Sequence, residues 1–183
     1  MGKIKVAFVC VHNSCRSQMA EGWAKKLGGD ILEVYSAGTE KYHEVKPKAV
    51  EVMEEAGISM EGHKPKLLTD IPREVDILIT MGCGVVCPFL PNKHEEDWGL
   101  DDPSGGPIEG FRETRDIIKE KVEDLIKRIK DGEIEVLYLF WTQDENKPVA
   151  PEILVYAELL LEGGKRNKET AQKIYDEYIE PKL

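Results

Sequence analysis

No stretch of the chain approaches the ~20 consecutive apolar residues that a membrane span needs, so no membrane partner is expected. The N-terminus has neither an apolar signal region nor a cleavage site. It runs straight into a predicted strand, which leads us to expect a cytoplasmic protein. Basic charge is scarce as well: 25 Lys and Arg face 35 Asp and Glu, a formal net charge of −10. That balance argues against a nucleic-acid partner. Cysteine is limited to four, which in an intracellular chain points to redox or metal chemistry before a disulfide framework. Repeats, low-complexity tracts and clear linkers are missing. What remains is a chain of 183 residues, 41% hydrophobic and 33% charged, long enough to bury a core.

The stretch Cys10-Val11-His12-Asn13-Ser14-Cys15-Arg16-Ser17 organises the reading. Before it, Lys3–Val9 is a short apolar run rich in β-branched and aromatic residues, a predicted strand. After it, Met19, Ala20, Trp23, Ala24 and Leu27 recur at helical spacing until Gly28-Gly29 stops them. A cysteine thus ends a strand, a loop follows, and an arginine opens a helix. In such a turn successive backbone N–H groups point inward, and the helix N-terminus adds partial positive charge. The result is a cradle for a tetrahedral oxyanion, with Val11, His12, Asn13, Ser14, Cys15 and Arg16 as its binding residues. The same field favours the thiolate of a cysteine placed inside it, which makes Cys10 the candidate nucleophile. Arg16 can hold two oxygens of the anion at once, and Ser17 can share charge with the Cys10 sulfur. The net charge of −10 does not oppose this. The Debye length is about 8 Å at physiological salt, so remote carboxylates are screened while the loop touches the anion.

Cys10-x5-Arg16-Ser17 resembles the phosphate loop of low-molecular-weight protein tyrosine phosphatases. The longer run Asn13–Gly22 is more similar to arsenate reductases of the thioredoxin-coupled type. The similarity continues through Tyr35-Ser36-Ala37-Gly38, Thr80-Met81-Gly82-Cys83 and Trp98-Gly99-Leu100-Asp101-Asp102-Pro103. It implies an α/β fold of three layers, a central parallel sheet of about four strands flanked by helices, over residues 1–132. Residues 133–183 then form a C-terminal strand–helix–helix extension that packs on the domain or exchanges within a homodimer.

Periodicity gives a compatible order of elements. Ile31–Ser36 is a second strand. Pro47 opens a helix with Ala49, Val52, Met53 and Ala56 on one face and Gly57 at its end. Val75–Thr80 is a third strand. Gly82 to Gly110, rich in proline and glycine, reads as irregular. Phe111, Ile118, Val122, Leu125 and Ile129 mark a helix running to Lys130. Ile134–Trp141 reads as the fourth strand, followed by helices near Pro151–Glu162 and Lys168–Glu180. In such sheets ligands sit at the carboxyl ends of the strands, where Cys10, Ser36 and Cys83 fall.

The resemblance assigns the remaining chemistry. Asp102, before Pro103, matches the family's acid and would protonate the leaving oxygen; beside a bound anion, like charge keeps such a carboxyl protonated. The family's phosphotyrosine phosphatases carry an aromatic wall after that proline, but here Ser104-Gly105-Gly106 follows. Reducing As(V) to As(III) needs two electrons, which Cys83 and Cys87 can supply to Cys10 in a thiol relay. Their spacing, with three residues between, is shorter than in the thioredoxin-coupled members, so the external reductant is either a thioredoxin-like protein or a small thiol. Cys15 is a rival first partner for Cys10. Zinc is the other use of such cysteines, but Cys83-x3-Cys87 offers one ligand pair with only His94 as a third, and no metal site is expected. Asn13, Glu21 and Ser36 match positions that bind a potassium ion in some members. The fourth ligand there, a carboxylate, falls near Pro65, and Asn13 reads alternatively as a brace for the loop through backbone hydrogen bonds. The function expected is arsenate reduction, with residual phosphatase activity. The alternatives are a phosphatase for small phosphoesters or phosphotyrosine, and a non-catalytic oxyanion or redox sensor whose C-terminal segment binds a partner.

Overall fold

Val6–Cys10 are buried almost without exception, and around them the sheet is built. The computed structural model describes residues 3–82, 90–134 and 165–174. The elements in order are β1 (Ile4–Cys10), α1 (Arg16–Gly28), β2 (Leu32–Gly38), α2 (Pro47–Glu55), a 3-10 turn (Leu68–Asp70), β3 (Ile77–Thr80), β4 (His94–Asp97), α3 (Ile108–Lys130) and α4 (Lys165–Ile174). Among the described residues the sheet runs β2-β1-β3-β4 and every pairing is parallel. Register is fixed by pairs such as Phe8↔Ser36 and Phe8↔Ile79. This places Cys10 level with Gly38 at one end of the sheet.

Alternation along β1 sorts the core into two layers. Val6, Phe8 and Cys10 join Ile77 and Ile79 in one cluster with Met19 and Trp23 of α1, Val52 and Met53 of α2, and Ile118, Val122 and Leu125 of α3. Ala7, Val9 and Leu78 face the other way and pack with Ala37, Ile71, Val75 and Leu90. The stripes that predicted α1, α2 and α3 are the faces these helices bury. Among the described residues, no helix is long and apolar enough to cross a membrane.

The fourth strand of the sheet is β4, inside the segment that the sequence reading leaves irregular. His-Glu-Glu-Asp has no apolar side chain to signal a strand. Its backbone nevertheless pairs with β3, from Ile77↔His94 to Thr80↔Asp97. Polar side chains hold this edge to α3: Arg128 Nη1 and Nη2 grip Glu96 Oε1 and Oε2 at 2.7 and 3.0 Å, and His94 Nε2 lies 2.6 Å from Oε1. The predicted strand Ile134–Trp141 and the helix near Pro151–Glu162 fall outside the described residues, Ile134 apart. Of the last predicted helix, near Lys168–Glu180, residues 168–174 are described, and they lie in α4 (Lys165–Ile174). The chain divides into two compact units, Met1–Leu137 and Tyr138–Leu183. Every element up to α3 belongs to the first and α4 to the second.

The Glu96 network sets an acid-stability prediction. Hydrogen bonds from Arg128 outweigh partial burial, and with help from His94 they pull the Glu96 carboxyl down to about 2. A carboxyl held below its unfolded value stabilises the fold above that value, and the contribution is lost as pH falls through the folded one. With its side chain 21% exposed, Glu96 is only partly screened, so Glu96→Gln is expected to cost about 1–2 kcal/mol at pH 7. In urea melts the gap between variant and wild type should close as pH drops from 5 toward 2. A gap constant with pH would show that Arg128 gains nothing from the charge.

Candidate active site

The carboxyl end of β1 meets the end of β2 at Gly38. A Cβ there would stand 2.7 Å from the Val11 carbonyl oxygen and 2.9 Å from the Asn13 nitrogen, so only glycine permits this approach. The loop from Val11 to Cys15 turns through Asn13, which is fully buried at φ 50, a left-handed conformation that asparagine tolerates. The turn aims the Asn13 backbone N–H at Cys10 Sγ, 3.2 Å away. Ser17 Oγ lies 3.0 Å from the same sulfur. That hydroxyl oxygen accepts from Asn13 Nδ2 at 2.8 Å, so its own hydrogen is available to the sulfur.

Asn13 is braced by its side chain more than by its backbone. Nδ2 donates to Ser17 and to Ser36 Oγ (2.8 Å each), while Oδ1 accepts from Gln18 Nε2 (2.8 Å) and from the Lys66 backbone N–H (2.9 Å). Gln18 is fully buried, with Oε1 against His63 Nδ1 at 2.7 Å. No local pattern in the sequence assigns Gln18 a role. Its one signal is an uncharged polar side chain beside the apolar stripe of α1.

A small cavity opens over this loop, lined by Cys10, Val11, His12, Ser14, Cys15, Arg16, Asp102 and Ser104. Asn13 and Ser17 act on it from behind, through Cys10. Arg16 is 6% exposed. Its Nη1 donates to the carbonyls of Met81 (3.0 Å) and Leu100 (2.6 Å), and Nη2 stands 3.2 Å from Asp102 Oδ2. One guanidinium therefore joins the loop, the end of β3 and the segment bearing Asp102. Burial pushes the Asp102 carboxyl up, but hydrogen bonds from Ser104 and the charges of Arg16 and Lys46 outweigh it and hold it below its ordinary value. Without an anion, then, Asp102 is a carboxylate. No local pattern marks Lys46 either. Its backbone N–H ties the start of α2 to the Ser14 carbonyl at 2.8 Å, and its Nζ donates to the Tyr42 hydroxyl at 2.6 Å.

The two described cysteines, Cys10 and Cys15, are free and buried. Burial first, then the charges of Asp102 and Cys10, push the Cys15 thiol up to about 12. Cys15 is therefore a protonated thiol at neutral pH. His12, at the rim, lies 3.4 Å from Glu40 Oε2 and against the Tyr42 ring. After Pro103 the chain turns through Ser104 and through Gly105 at φ 86. Cys83 and Cys87 lie outside the described residues. Gly82, just before them, packs so tightly on Gly99 and Leu100 that a Cβ would come within 2.6 Å of both. Among the described residues, no group of three or more His, Cys, Asp or Glu is placed to hold a metal ion. His94 sits in β4, bonded to Glu96.

Comparison with known proteins shows the family. The family model for low molecular weight phosphotyrosine protein phosphatase matches residues 5–134. A model for the AbiEi antitoxin, a transcriptional regulator of a type IV toxin–antitoxin system, matches residues 114–180, less than half of the chain. Arsenate reductase 2 of Staphylococcus haemolyticus is 45% identical over 133 residues, which span 70% of this chain and all of the relative. A solved arsenate reductase in the phosphate-binding state superposes with a TM-score of 0.65 at 44% identity, covering 69% of this chain and 98% of that one. A thioredoxin-dependent arsenate reductase from Corynebacterium glutamicum gives a TM-score of 0.61 at 37% identity, covering 71% and 63%. The strand, the phosphate loop and the acid segment described above all fall within the shared length, and the chain belongs to the low molecular weight phosphotyrosine protein phosphatase family, among its arsenate reductases.

Proposed function

We propose that the protein reduces arsenate to arsenite through a covalent Cys10 adduct and a cysteine relay. The observation that carries the reading is the Cys10 sulfur, met by the Asn13 N–H and the Ser17 hydroxyl in a cavity walled by Arg16 and Asp102. Cys10 Sγ attacks arsenic, forming an S–As(V) bond, and Asp102 protonates the oxygen that leaves as water. The Cys83 thiolate then attacks Cys10 Sγ. An S–S bond forms, the S–As bond breaks, and its electron pair stays on arsenic as arsenite departs. Cys87 attacks Cys83, which frees Cys10 and leaves a Cys83–Cys87 disulfide for an external dithiol of the thioredoxin class to reduce. Burial keeps Cys15 a protonated thiol, which favours Cys83 over Cys15 as the first partner, because only a thiolate attacks. Residues 133–183 lie beyond the length shared with the reductases and are read as an added segment. The compartment fitting such a dithiol cycle is the cytoplasm.

The test follows arsenite release with a dithiol protein supplied. Cys83→Ser is expected to stop after the adduct and give sub-stoichiometric arsenite, whereas wild type turns over. Full turnover by the variant would remove Cys83 from the relay. The same preparations assayed with p-nitrophenyl phosphate separate the phosphatase reading, in which Cys83→Ser leaves hydrolysis untouched and wild type shows no arsenate turnover.

A further inference from the structure

Behind the phosphate loop lies a buried carboxylate with an unusual set of partners. Glu21 is 3% exposed. Its Oε2 takes Lys66 Nζ at 2.8 Å and also the Ser36 hydroxyl, while Oε1 takes Lys25 Nζ. Burial pushes this carboxyl up, but the hydrogen bonds from Lys25, Lys66 and Ser36 win, so Glu21 stays ionised. Ser36 Oγ also receives Asn13 Nδ2, and Asn13 Oδ1 receives the Lys66 backbone N–H. Lys66 therefore holds both ends of the series Glu21–Ser36–Asn13, and Asn13 in turn holds Ser17 and faces Cys10.

Glu21, Ser36 and Asn13 are the positions that the family resemblance gives to a potassium ion. The residues of this chain do not fit that ion. Glu21 Oε2 already carries an ammonium, with a second one on Oε1. The fourth ligand that the resemblance implies, a carboxylate, falls near Pro65, and the next residue, Lys66, is a cation. A potassium ion here would sit within a few ångströms of a like charge, beside a carboxylate whose oxygens are already taken. The ammonium has the same charge and three donors for surrounding oxygens.

We infer that Lys66 is a built-in cation: its ammonium stands in for a soluble monovalent cation behind the phosphate loop and keeps Asn13 and Ser17 aimed at Cys10. The loop is then held in shape without potassium. Lys66 is a positioning residue, since its contacts reach the sulfur only through Asn13 and Ser17. The inference holds whichever oxyanion the loop takes, so its test is thermal and does not depend on turnover.

Full-length protein is melted in KCl and in choline chloride at equal ionic strength. Wild type is expected to melt at one temperature in both. Lys66→Met, which keeps the stem and removes the charge, is expected to melt ~4–8 °C lower in choline chloride and to regain part of the loss in KCl. A potassium-specific rise in wild type overturns the inference, and so does a Lys66→Met protein indifferent to the salt. Should Lys66→Met not accumulate as folded protein, Lys66→Asp replaces it. That variant restores a carboxylate, and is expected to fold in KCl and to melt far lower in choline chloride. Its failure to fold in either salt, or its indifference to them, also counts against Lys66.

Discussion

Arg16→Lys is expected to lower kcat/KM for arsenate by about 10²- to 10³-fold, the range seen when one donor to a developing oxyanion is removed. It should also lower the melting temperature. The reason is geometric more than electrostatic. A lysine keeps the charge but offers one small ammonium in place of a planar fork. Arg16 reaches the Met81 and Leu100 carbonyls and Asp102 while walling the anion cavity. An ammonium cannot reach two carbonyls, a carboxylate and an anion together. The carbonyl left without a donor costs about 1–3 kcal/mol when buried, a loss of roughly 2–4 °C per kcal/mol for a chain of this size. The two losses should appear together: KM for arsenate and the inhibition constant for phosphate both rise, and the fold weakens. A variant that binds phosphate as tightly as wild type would mean that the loop amides hold the anion unaided.

That double role marks the limit of what the sequence could reveal. The strand, the loop and the opening of α1 were legible because a β-branched run, a Cys-x5-Arg-Ser spacing and a helical stripe are all local patterns. Helices α2 and α3 were legible for the same reason. The second half of the Arg16 environment was not. Its acceptors are backbone carbonyls of Met81 and Leu100, and any residue type supplies a carbonyl. β4 was hidden because His94–Asp97 pairs through its backbone and is pinned at Glu96 by Arg128, 32 positions away. Lys66 was hidden by its neighbour: Pro65 stood out as the missing carboxylate, but a lysine in a loop of lysines reads as a solvated face. Gln18 lay inside the quoted motif, and only the fold shows it buried against Asn13 and His63. What escapes a sequence reading here is a set of polar contacts between distant segments, each using an atom that composition does not single out.

The second large effect expected is on Asp102. In the free site its carboxyl lies below its ordinary value: burial raises it, but the Ser104 hydrogen bonds with the Arg16 and Lys46 charges outweigh burial and bring it down. An arsenate or phosphate dianion entering the cavity engages Arg16 and adds negative charge beside Asp102. Both changes push the Asp102 carboxyl up. The sign follows: a group that rises on binding takes up a proton, so the anion binds more tightly as pH falls through the interval between the free and bound values. The bound state then holds the acid that the leaving oxygen needs, and the free state does not spend its time protonated. Asp102→Asn removes the acid and the linkage together. Its kcat is expected to fall by about 10²- to 10⁴-fold, while the fold is little affected because the Asp102 side chain is 49% exposed. Calorimetry of phosphate binding in buffers of different ionisation enthalpy should record net proton uptake for wild type and a smaller uptake for Asp102→Asn. If the variant takes up the same number of protons, the linkage belongs to the anion itself; if it also keeps the wild-type rate, the acid is elsewhere. The loss of both together, with binding intact at low pH, is what a carboxyl switched on by its own substrate requires.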